Sequence, residues 1–424
     1  MVGIVLLLAQ SCLAQDATDA DAALRDQIAQ LVRQLDSDTL AEREAAEREL
    51  LQLGTAALDY LPDIDDRAPA EVRLRLERVR TALERSQLEE RLEPSRVTLA
   101  VEGEPLDEVL AALEGQTGNR VYLRDDGPDA VAGLPDVTCD FQDTPYWEAL
   151  DTLLDESQLT VYPFTDQPGL ALSPRAPSLK PRLETGYYSG PYRFEAIEAT
   201  ANRVLRSTME GSLNVTYEFS WEPRLRPIAV RQSMSSVVAV VDTGSQLAAA
   251  TPADFDFPVR ANLQALEIEL PLTAPPREAR EIAKLSGSVD VLLTGPSVEF
   301  RFAELDGARD SEQRRAGTSV VLERVRRNNA LWEIRVLVRF DSNSAALESH
   351  LGWVFSNRAV LAAEDGTTTE PATMETTRQT RNEIGAAYLF NVGDDLDDLS
   401  FVYETPVSIV TRRVEYELTD LPLP

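Results

Sequence analysis

The amino-acid sequence predicts a multidomain protein in which an N-terminal α-helical segment and a small α+β domain precede two antiparallel β-sandwich domains. Three observations predict this fold class. Apolar residues recur at helical spacing up to residue 95, and a strand-helix-strand pattern then occurs twice at an offset of 40 residues. From about Tyr192 onward, short segments of alternating apolar and polar residues predominate. The length of 424 residues is sufficient for several such units.

The composition limits the classes of function. The chain has 72 acidic and 41 basic side chains, a formal net charge of −31, and this excess repels phosphates, so we expect no nucleic-acid partner. His350 is the single histidine, which excludes two-histidine metal sites and most Ser-His chemistry. Phosphate-binding glycine loops and nucleophile-elbow motifs are absent from the sequence. We therefore predict no catalytic residue and no cofactor.

The amino terminus predicts export. Val2–Ala9 is apolar except for Gly3, and Cys12 and Ala14 place small residues before the expected cleavage site. This pattern predicts a signal peptide over residues 1–14 and a periplasmic or secreted protein. In an alternative interpretation Cys12 is lipidated, and the protein is then attached to the outer membrane.

Residues 15–95 predict helices with one apolar face. The apolar positions are Leu24, Ile28, Leu31 and Leu35 in the first helix and Val72, Leu76, Val79 and Leu83 in the third. Asp38 and Thr39 offer a cap for a second helix that stops at Gly54. The stretches Glu42–Ala46, Leu50–Gly54 and Ala68–Arg73 resemble a HEAT-type helical pair. The resemblance implies a hairpin that rests on a neighbouring domain or on a partner.

The internal repeat predicts a small α+β domain over residues 96–173. Its matched positions are Val97 and Val137, Pro105 and Pro145, Leu110 and Leu150, Leu113 and Leu153, and Val121 and Val161. In each copy a strand leads to a helix that begins at proline, and a second strand follows. Cys139, the single cysteine after cleavage, alternates with Val137 and Phe141, which predicts a small core residue rather than a nucleophile.

Several motifs of this repeat form a known pattern. They are Val97–Val101, Pro105–Leu110, Gln116–Gly118, Val137–Phe141 and Pro145–Leu150. Together they resemble the secretin and TonB short N-terminal (STN) domain. In that family the domain is a periplasmic interaction module without catalytic residues, so the resemblance implies docking to other envelope proteins.

Trp147 is the candidate protein-interaction residue, because it replaces the Asp107 of the first copy. In one interpretation it is an exposed contact residue, since tryptophan is enriched in interface anchors. In the other it covers the seam between this domain and the preceding helices.

The remainder predicts a linker and two β-sandwich domains. Residues 174–184 are rich in proline and predict a semi-rigid spacer. The first sandwich is predicted over 185–307, with Val289–Leu293 and Val298–Phe302 as a hairpin about Gly295 and Pro296. The second is predicted over 308–424, and Asn328 and Asn329 suit the turn of another hairpin.

The acidic run Asp394, Asp395, Asp397 and Asp398 is the candidate metal site, because calcium prefers oxygen ligands. The calcium-loop spacing fails, however: the sixth position lacks glycine, and no bidentate glutamate occupies the last. A solvated acidic loop is therefore the favoured interpretation.

The sequence favours a non-enzymatic cell-envelope protein that acts as a protein-interaction or scaffold module through its helical and STN-like domains. One alternative is a secreted, glycosidase-like hydrolase that uses paired carboxylates, since such a site needs no histidine. Another is an outer-membrane lipoprotein, with membrane contact only through a lipidated Cys12.

Overall fold

A few N-terminal helices precede a chain that consists mostly of antiparallel β-sheets. The structure, a computed structural model, describes residues 22–62, 68–124, 135–162, 167–204, 206, 211–260, 263–295, 297–315, 317–340, 354–355, 357–380, 383–393, 396, 398–407 and 409–424. By its contacts the chain forms two compact units. Unit 1 comprises the described residues up to Glu90 and Gly295–Ile409, and unit 2 comprises Arg91–Thr294 and Val410–Pro424.

The helical part of unit 1 follows the predicted periodicity. Its elements are α1 (22–34), α2 (Leu40–Gln52), a 3-10 helix (Thr55–Tyr60) and α3 (Ala70–Arg91). Ile28, Leu50 and Val79 belong to one buried cluster, because the apolar faces of the helices meet there. Arg75 joins α3 to α2 through an ion pair with Glu47 at 2.6 Å. These helices were predicted from apolar spacing, and the buried positions agree with that prediction.

The β-rich part of unit 1 contains two sheets. Its strands are β15 (Ser297–Phe302), β16 (Arg309–Arg315), β17 (Thr318–Asn328), β18 (Leu331–Phe340), β19 (Ala359–Ala363), β20 (Thr368–Thr369), β21 (Thr373–Gln379), β22 (Glu383–Phe390) and β23 (Leu399–Pro406). The strand orders are β15-β23-β19-β20 and β16-β17-β18-β22-β21. Tyr388 and Phe401 bring the two sheets into contact, with ring centroids 6.1 Å apart. This arrangement is sandwich-like.

Unit 2 begins with the duplicated segment. It contains β1 (Arg96–Pro105), α4 (Leu106–Thr117), β2 (Val121–Leu123), β3 (Asp136–Pro145), α5 (Tyr146–Glu156), β4 (Leu159–Tyr162) and β5 (Leu170–Pro174). β1 and β3 form an antiparallel pair, and β5 lies between β2 and β4. Leu110 and Leu150, at matched positions of the repeat, are both buried in one core. The predicted strand-helix-strand order is therefore present twice.

The rest of unit 2 consists of two larger sheets. Its elements are α6 (Arg182–Thr185), β6 (Gly186–Ser189), β7 (Tyr192–Arg203), β8 (Gly211–Trp221), β9 (Pro227–Gln232), a 3-10 helix (Met234–Ser236), β10 (Val238–Val241), β11 (Gln246–Leu247), β12 (Phe255–Pro258), β13 (Ala265–Thr273), β14 (Glu281–Leu293) and β24 (Val410–Pro422). One sheet has the order β13-β8-β7-β6. The other has the order β11-β10-β14-β9-β12, and β24 also pairs with β14.

Aromatic side chains fill the space between these two sheets. Tyr416 lies 5.0 Å from Tyr217 and 5.1 Å from Phe194, measured between ring centroids. Both tyrosine hydroxyls donate to Oε1 of the buried Gln232, at 2.6 and 3.2 Å, so their burial leaves no polar group unpaired. Gly287 faces Tyr416 across the strands, and a Cβ there would lie too close to the tyrosine hydroxyl.

One predicted pairing is wrong, and the last strand lies in a different sheet from the one expected. Val289–Leu293 and Val298–Phe302 do not form a hairpin, because β14 pairs with β9, β10 and β24, whereas β15 pairs with β23. The final strand, which we expected in the second sandwich, pairs with β14 along twelve residues instead. The turn residues at Gly295 signal a change of direction, but the partner of a strand depends on distant parts of the chain. The Asn329 turn is confirmed, since it has a φ of +58° between β17 and β18.

Candidate functional site

Trp147 lies in the interior of unit 2. Its side chain is 1% exposed, and its indole N–H donates to the Pro191 carbonyl at 3.1 Å. The prediction of an exposed contact residue is therefore wrong. Trp147 packs against the segment before β7 and not against the preceding helices, because this face of α5 lies against the later strands. The sequence could not identify that surface, since Pro191 follows Trp147 by 44 residues.

One turn further along α5, Asp151 is fully buried among cations. Its carboxylate accepts hydrogen bonds from Nε of Arg182 and of Arg193, each at 2.6 Å, and from the Tyr188 hydroxyl at 2.7 Å. Burial favours a higher pKa for Asp151, but the two guanidiniums outweigh burial and lower the pKa. Burial and the neighbouring carboxylate raise the pKa of Tyr188. This cluster links α5 to α6, β6 and β7, and loss of one partner would leave a buried charge unpaired.

The proline-rich segment is attached to the same helix. Arg175 forms an ion pair with Asp155, and the backbone N–H groups of Arg182 and Leu183 donate to the Asp155 carboxylate at 2.8 and 3.0 Å. Residues 174–184 were expected as a spacer. Asp155 of α5 thus binds residues near both ends of this segment. The segment therefore packs on the α+β part and does not stand apart from it.

A second buried carboxylate, Glu222, joins three segments of unit 2. It accepts hydrogen bonds from the backbone N–H and the hydroxyl of Ser95, from Nδ2 of Asn119 and from Nε of Arg224. Every donor belongs to this chain. Glu222 is fully buried, so the turn after β8 is a structural junction.

The two copies of the repeat have closely matched backbones around the β1-β3 pair. Gly103 and Asp143, 40 residues apart, both have positive φ, at +66° and +50°. The N–H of Gly103 donates to the Thr138 hydroxyl at 3.0 Å, and the N–H of Asp143 donates to the Thr98 hydroxyl at 3.1 Å. The pair is therefore nearly two-fold symmetric, and corresponding side chains occupy equivalent positions.

The helix ends that approach this pair are also matched. Thr117 and Ser157 each donate a hydroxyl hydrogen bond to the carbonyl four residues earlier, at 2.7 Å. The residues that follow, Gly118 and Gln158, have φ values of +70° and +55°. Gln116 and Glu156 therefore occupy equivalent places at the ends of α4 and α5.

Gln116 closes the free edge of β1. Its side-chain amide donates to the Thr98 carbonyl and accepts from the Thr98 N–H, both at 3.0 Å. These are the two hydrogen bonds that a neighbouring strand would form, so the side chain takes the place of a strand. They also establish that the peptide groups of Thr98 point away from β3.

The matching edge of β3 is open. Thr138 is the counterpart of Thr98 in the second copy, so its peptide groups also point away from the partner strand. Asp140, two residues further along β3, points its peptide groups the same way, because alternate residues of a strand share one side. Glu156 stands where the first copy has Gln116, but a carboxylate has no N–H to donate to the Thr138 carbonyl. Within the described residues the carboxylate of Glu156 forms no hydrogen bond, and β3 pairs with β1 alone.

The open edge of β3 is acidic. Asp136, Asp140 and Glu156 are exposed, and the alternate residues Val137 and Phe141 are buried against the helices. The two carboxylates Glu156 and Asp140 lie near enough to Cys139 to add to burial in raising the pKa of its thiol. The prediction that Cys139 is a small core residue is confirmed, since its side chain is free and buried.

Unit 1 contains an open acidic pocket of about 560 Å³. Its carboxylates are Glu304, Asp306, Glu364 and Asp398, and Leu305, Leu396 and Leu399 supply apolar walls. Of the predicted calcium ligands, Asp398 lines this pocket, whereas Asp394, Asp395 and Asp397 lie outside the described residues. In the described ranges, no three histidine, cysteine or acidic side chains are placed to hold a metal ion.

Another open pocket, of about 420 Å³, lies in unit 2 beside β11. Met234, Val237 and Leu247 line it together with polar and small residues, and its lining contains no charged side chain.

His350 and Cys12 lie outside the described residues. No described helix is long and apolar enough to cross a membrane.

When the two copies of the repeat are aligned, Gln116 stands opposite Glu156. The sequence does not show, however, that the side chain at this position bonds to the edge of a strand.

Comparison with known proteins finds no relative: no protein-family model, no curated protein and no solved structure matches this chain.

Proposed function

We propose that this protein is a non-enzymatic component of the cell envelope, exported to the periplasm or secreted, that acts as an interaction or scaffold module. The open, acidic edge of β3 carries this proposal. An unpaired strand edge receives an extended segment of another chain, because its free N–H and C=O groups continue the sheet. The missing cap at Glu156 leaves this edge accessible.

The chemistry of the edge defines the partner. A strand added along β3 has its alternate side chains beside Asp136, Thr138 and Asp140, so basic residues there gain favourable charge interactions. The intervening side chains extend the apolar side formed by Val137 and Phe141. The proposed partner is therefore a protein with an extended segment of alternating basic and apolar residues.

The domain assignments are part of the same proposal. We interpret the helical segment as HEAT-like, residues 96–173 as STN-like, and the two β-rich parts as sandwich domains. The paired helices α2 and α3, the duplicated strand-helix-strand order and the facing sheets support these assignments. An interaction module of the envelope is the role that the STN resemblance implies.

Peptide binding to the whole chain tests this function. A short blocked peptide of alternating lysine and valine is titrated at low salt, with fluorescence anisotropy as the readout, and a peptide of alternating glutamate and valine is the control. Asp140→Pro removes an outward N–H and leaves the bonds to β1 in place. Ala100→Pro makes the same change at the matched position of the first copy.

We expect the lysine peptide to bind the wild type and Ala100→Pro alike. Asp140→Pro should weaken binding by about tenfold or more, which corresponds to one or two lost hydrogen bonds. Equal binding by Asp140→Pro, equal binding of the glutamate peptide, or no binding to the wild type rejects the proposed edge.

A second candidate function, a carboxylate-dependent hydrolase, is favoured by the acidic pocket in unit 1. Glycosidases need two carboxylates about 5 to 10 Å apart in a concave site, and Glu304, Asp306, Glu364 and Asp398 line one pocket. Aryl glycosides test it by release of the chromophore. Turnover that Asp398→Asn or Glu304→Gln abolishes favours the hydrolase, and no turnover by the wild type rejects it.

The lipoprotein alternative concerns attachment rather than activity. Mass spectrometry of the mature amino terminus decides it, since a lipidated Cys12 adds the mass of the acyl chains, whereas cleavage after Ala14 leaves Gln15 first.

A further inference from the structure

A row of arginines crosses three adjacent strands of unit 1. Arg309 of β16 stands opposite Arg324 of β17, and Arg324 stands opposite Arg335 of β18. Like charges directly opposite each other destabilise a sheet. The whole chain has a net charge of −31, so its composition does not predict this concentration of positive charge.

One carboxylate holds the row together. Glu333, with a side chain 5% exposed, accepts from Nε of Arg335 at 2.6 Å and from Arg326 at 2.7 Å. Burial favours a higher pKa for Glu333, but the hydrogen bonds from these arginines outweigh burial and lower the pKa. Asn328 donates to the same carboxylate at 3.1 Å.

The positive charge exceeds what Glu333 neutralises. The guanidinium of Arg324 reaches the Glu333 carboxylate only at 4.0 Å and forms no hydrogen bond within the described residues. Among the same residues, the side chain of Arg309 has no ion-pair or hydrogen-bond partner. The side chains of Arg324, Arg326 and Arg335 are 35%, 44% and 33% exposed. Several N–H donors of these planar guanidiniums therefore face solvent.

We propose that Arg324, with Arg326, Arg335 and Arg309, binds an oxyanion group of a ligand. Guanidiniums pair in bidentate fashion with phosphate, sulfate and carboxylate groups, and three of them around one buried carboxylate retain a net positive charge. Glu333 positions Arg326 and Arg335, and Arg324 supplies the free donors. This site is independent of the β3 edge, which belongs to unit 2.

Isothermal titration calorimetry of the whole chain tests the site. Inorganic phosphate, sulfate and citrate are titrated at low ionic strength, and sodium chloride of equal ionic strength is the blank. Arg324→Ala should weaken oxyanion binding by about tenfold or more, because one charge-assisted hydrogen bond is lost. Its melting temperature should equal that of the wild type, because the Arg324 side chain forms no hydrogen bond and comes only within 4.0 Å of Glu333.

Arg301→Ala is the matched control, since Arg301 also lies on an exposed strand of unit 1 and pairs with Glu299 at 2.9 Å. It should bind as the wild type does. Stronger binding of phosphate and sulfate assigns a tetrahedral ligand group, and stronger binding of citrate assigns a carboxylate. No heat above the chloride blank, an unchanged affinity in Arg324→Ala, or an equal loss in Arg301→Ala overturns the proposal.

Discussion

In the first copy of the repeat, α4 turns Asp107, Ala111 and Gly115 toward solvent. In the second copy, the equivalent face of α5 carries Trp147 and Asp151, both buried in unit 2. The strand edges show the opposite arrangement. The copy with the exposed helix face has its edge closed by Gln116, and the copy with the docked helix has an open edge beside Glu156.

This comparison separates positions that build the fold from positions that define its surfaces. Leu110 and Leu150 are buried alike, and the helices begin after Pro105 and Pro145 alike. The copies differ on the helix face that packs inside the chain and at the residue that covers the strand edge. A duplicated unit therefore provides one surface for attachment within the chain and another for a partner.

The largest expected difference between the copies concerns the docked face. Trp147→Ala should lower the free energy of unfolding by about 3 to 5 kcal/mol, because a cavity forms and the Pro191 carbonyl loses its donor. The matched change Asp107→Ala should have an effect within about 0.5 kcal/mol, because that position is exposed. Chemical denaturation measures both. Equal values in the two copies would contradict the docked arrangement.

Acid should weaken the same face through Asp151. Its folded pKa lies below the ordinary value of 3.8, so its contribution is fully present above that value and is lost as the pH falls through the lowered folded pKa. Asp151→Asn should be less stable than the wild type at neutral pH, because the buried Arg182 loses its counter-charge. The difference between the two proteins should diminish in strong acid. Melting temperatures measured across this range check the prediction, and a constant difference would contradict it.

A smaller effect is expected at the helix ends. Gln158 has a φ of +55° where the first copy has Gly118. Gln158→Gly should stabilise the protein by about 1 kcal/mol, because glycine adopts this conformation without steric cost. Gly118→Ala, which has open space around its added Cβ, should destabilise it by a similar amount of about 1 kcal/mol. Denaturant midpoints of both variants test this, and a destabilising Gln158→Gly would contradict it.

Local patterns predicted much of the fold. Apolar spacing predicted α1 to α3, and the repeat predicted the matched elements from β1 to β4. Strand partners were harder, since β24 and β14 pair across more than a hundred residues. The burial of Trp147 depends on its contact with Pro191, and the open edge of β3 is recognised only from the hydrogen bonds between Gln116 and Thr98. Periodicity in the sequence predicts neither contact. The excess of acidic residues likewise gave no indication that Arg309, Arg324 and Arg335 form one row.

The exchange Glu156→Gln tests the central claim most directly, because it places the cap of the first copy beside Thr138. We predict that the lysine-valine peptide binds the wild type and that Glu156→Gln weakens this binding by about tenfold or more, as the new amide occupies the edge. Glu156→Ala, which removes the charge without supplying a cap, should retain more of the binding than Glu156→Gln. Undiminished binding by Glu156→Gln, with the amide hydrogen of Thr138 newly protected from exchange, would contradict the account.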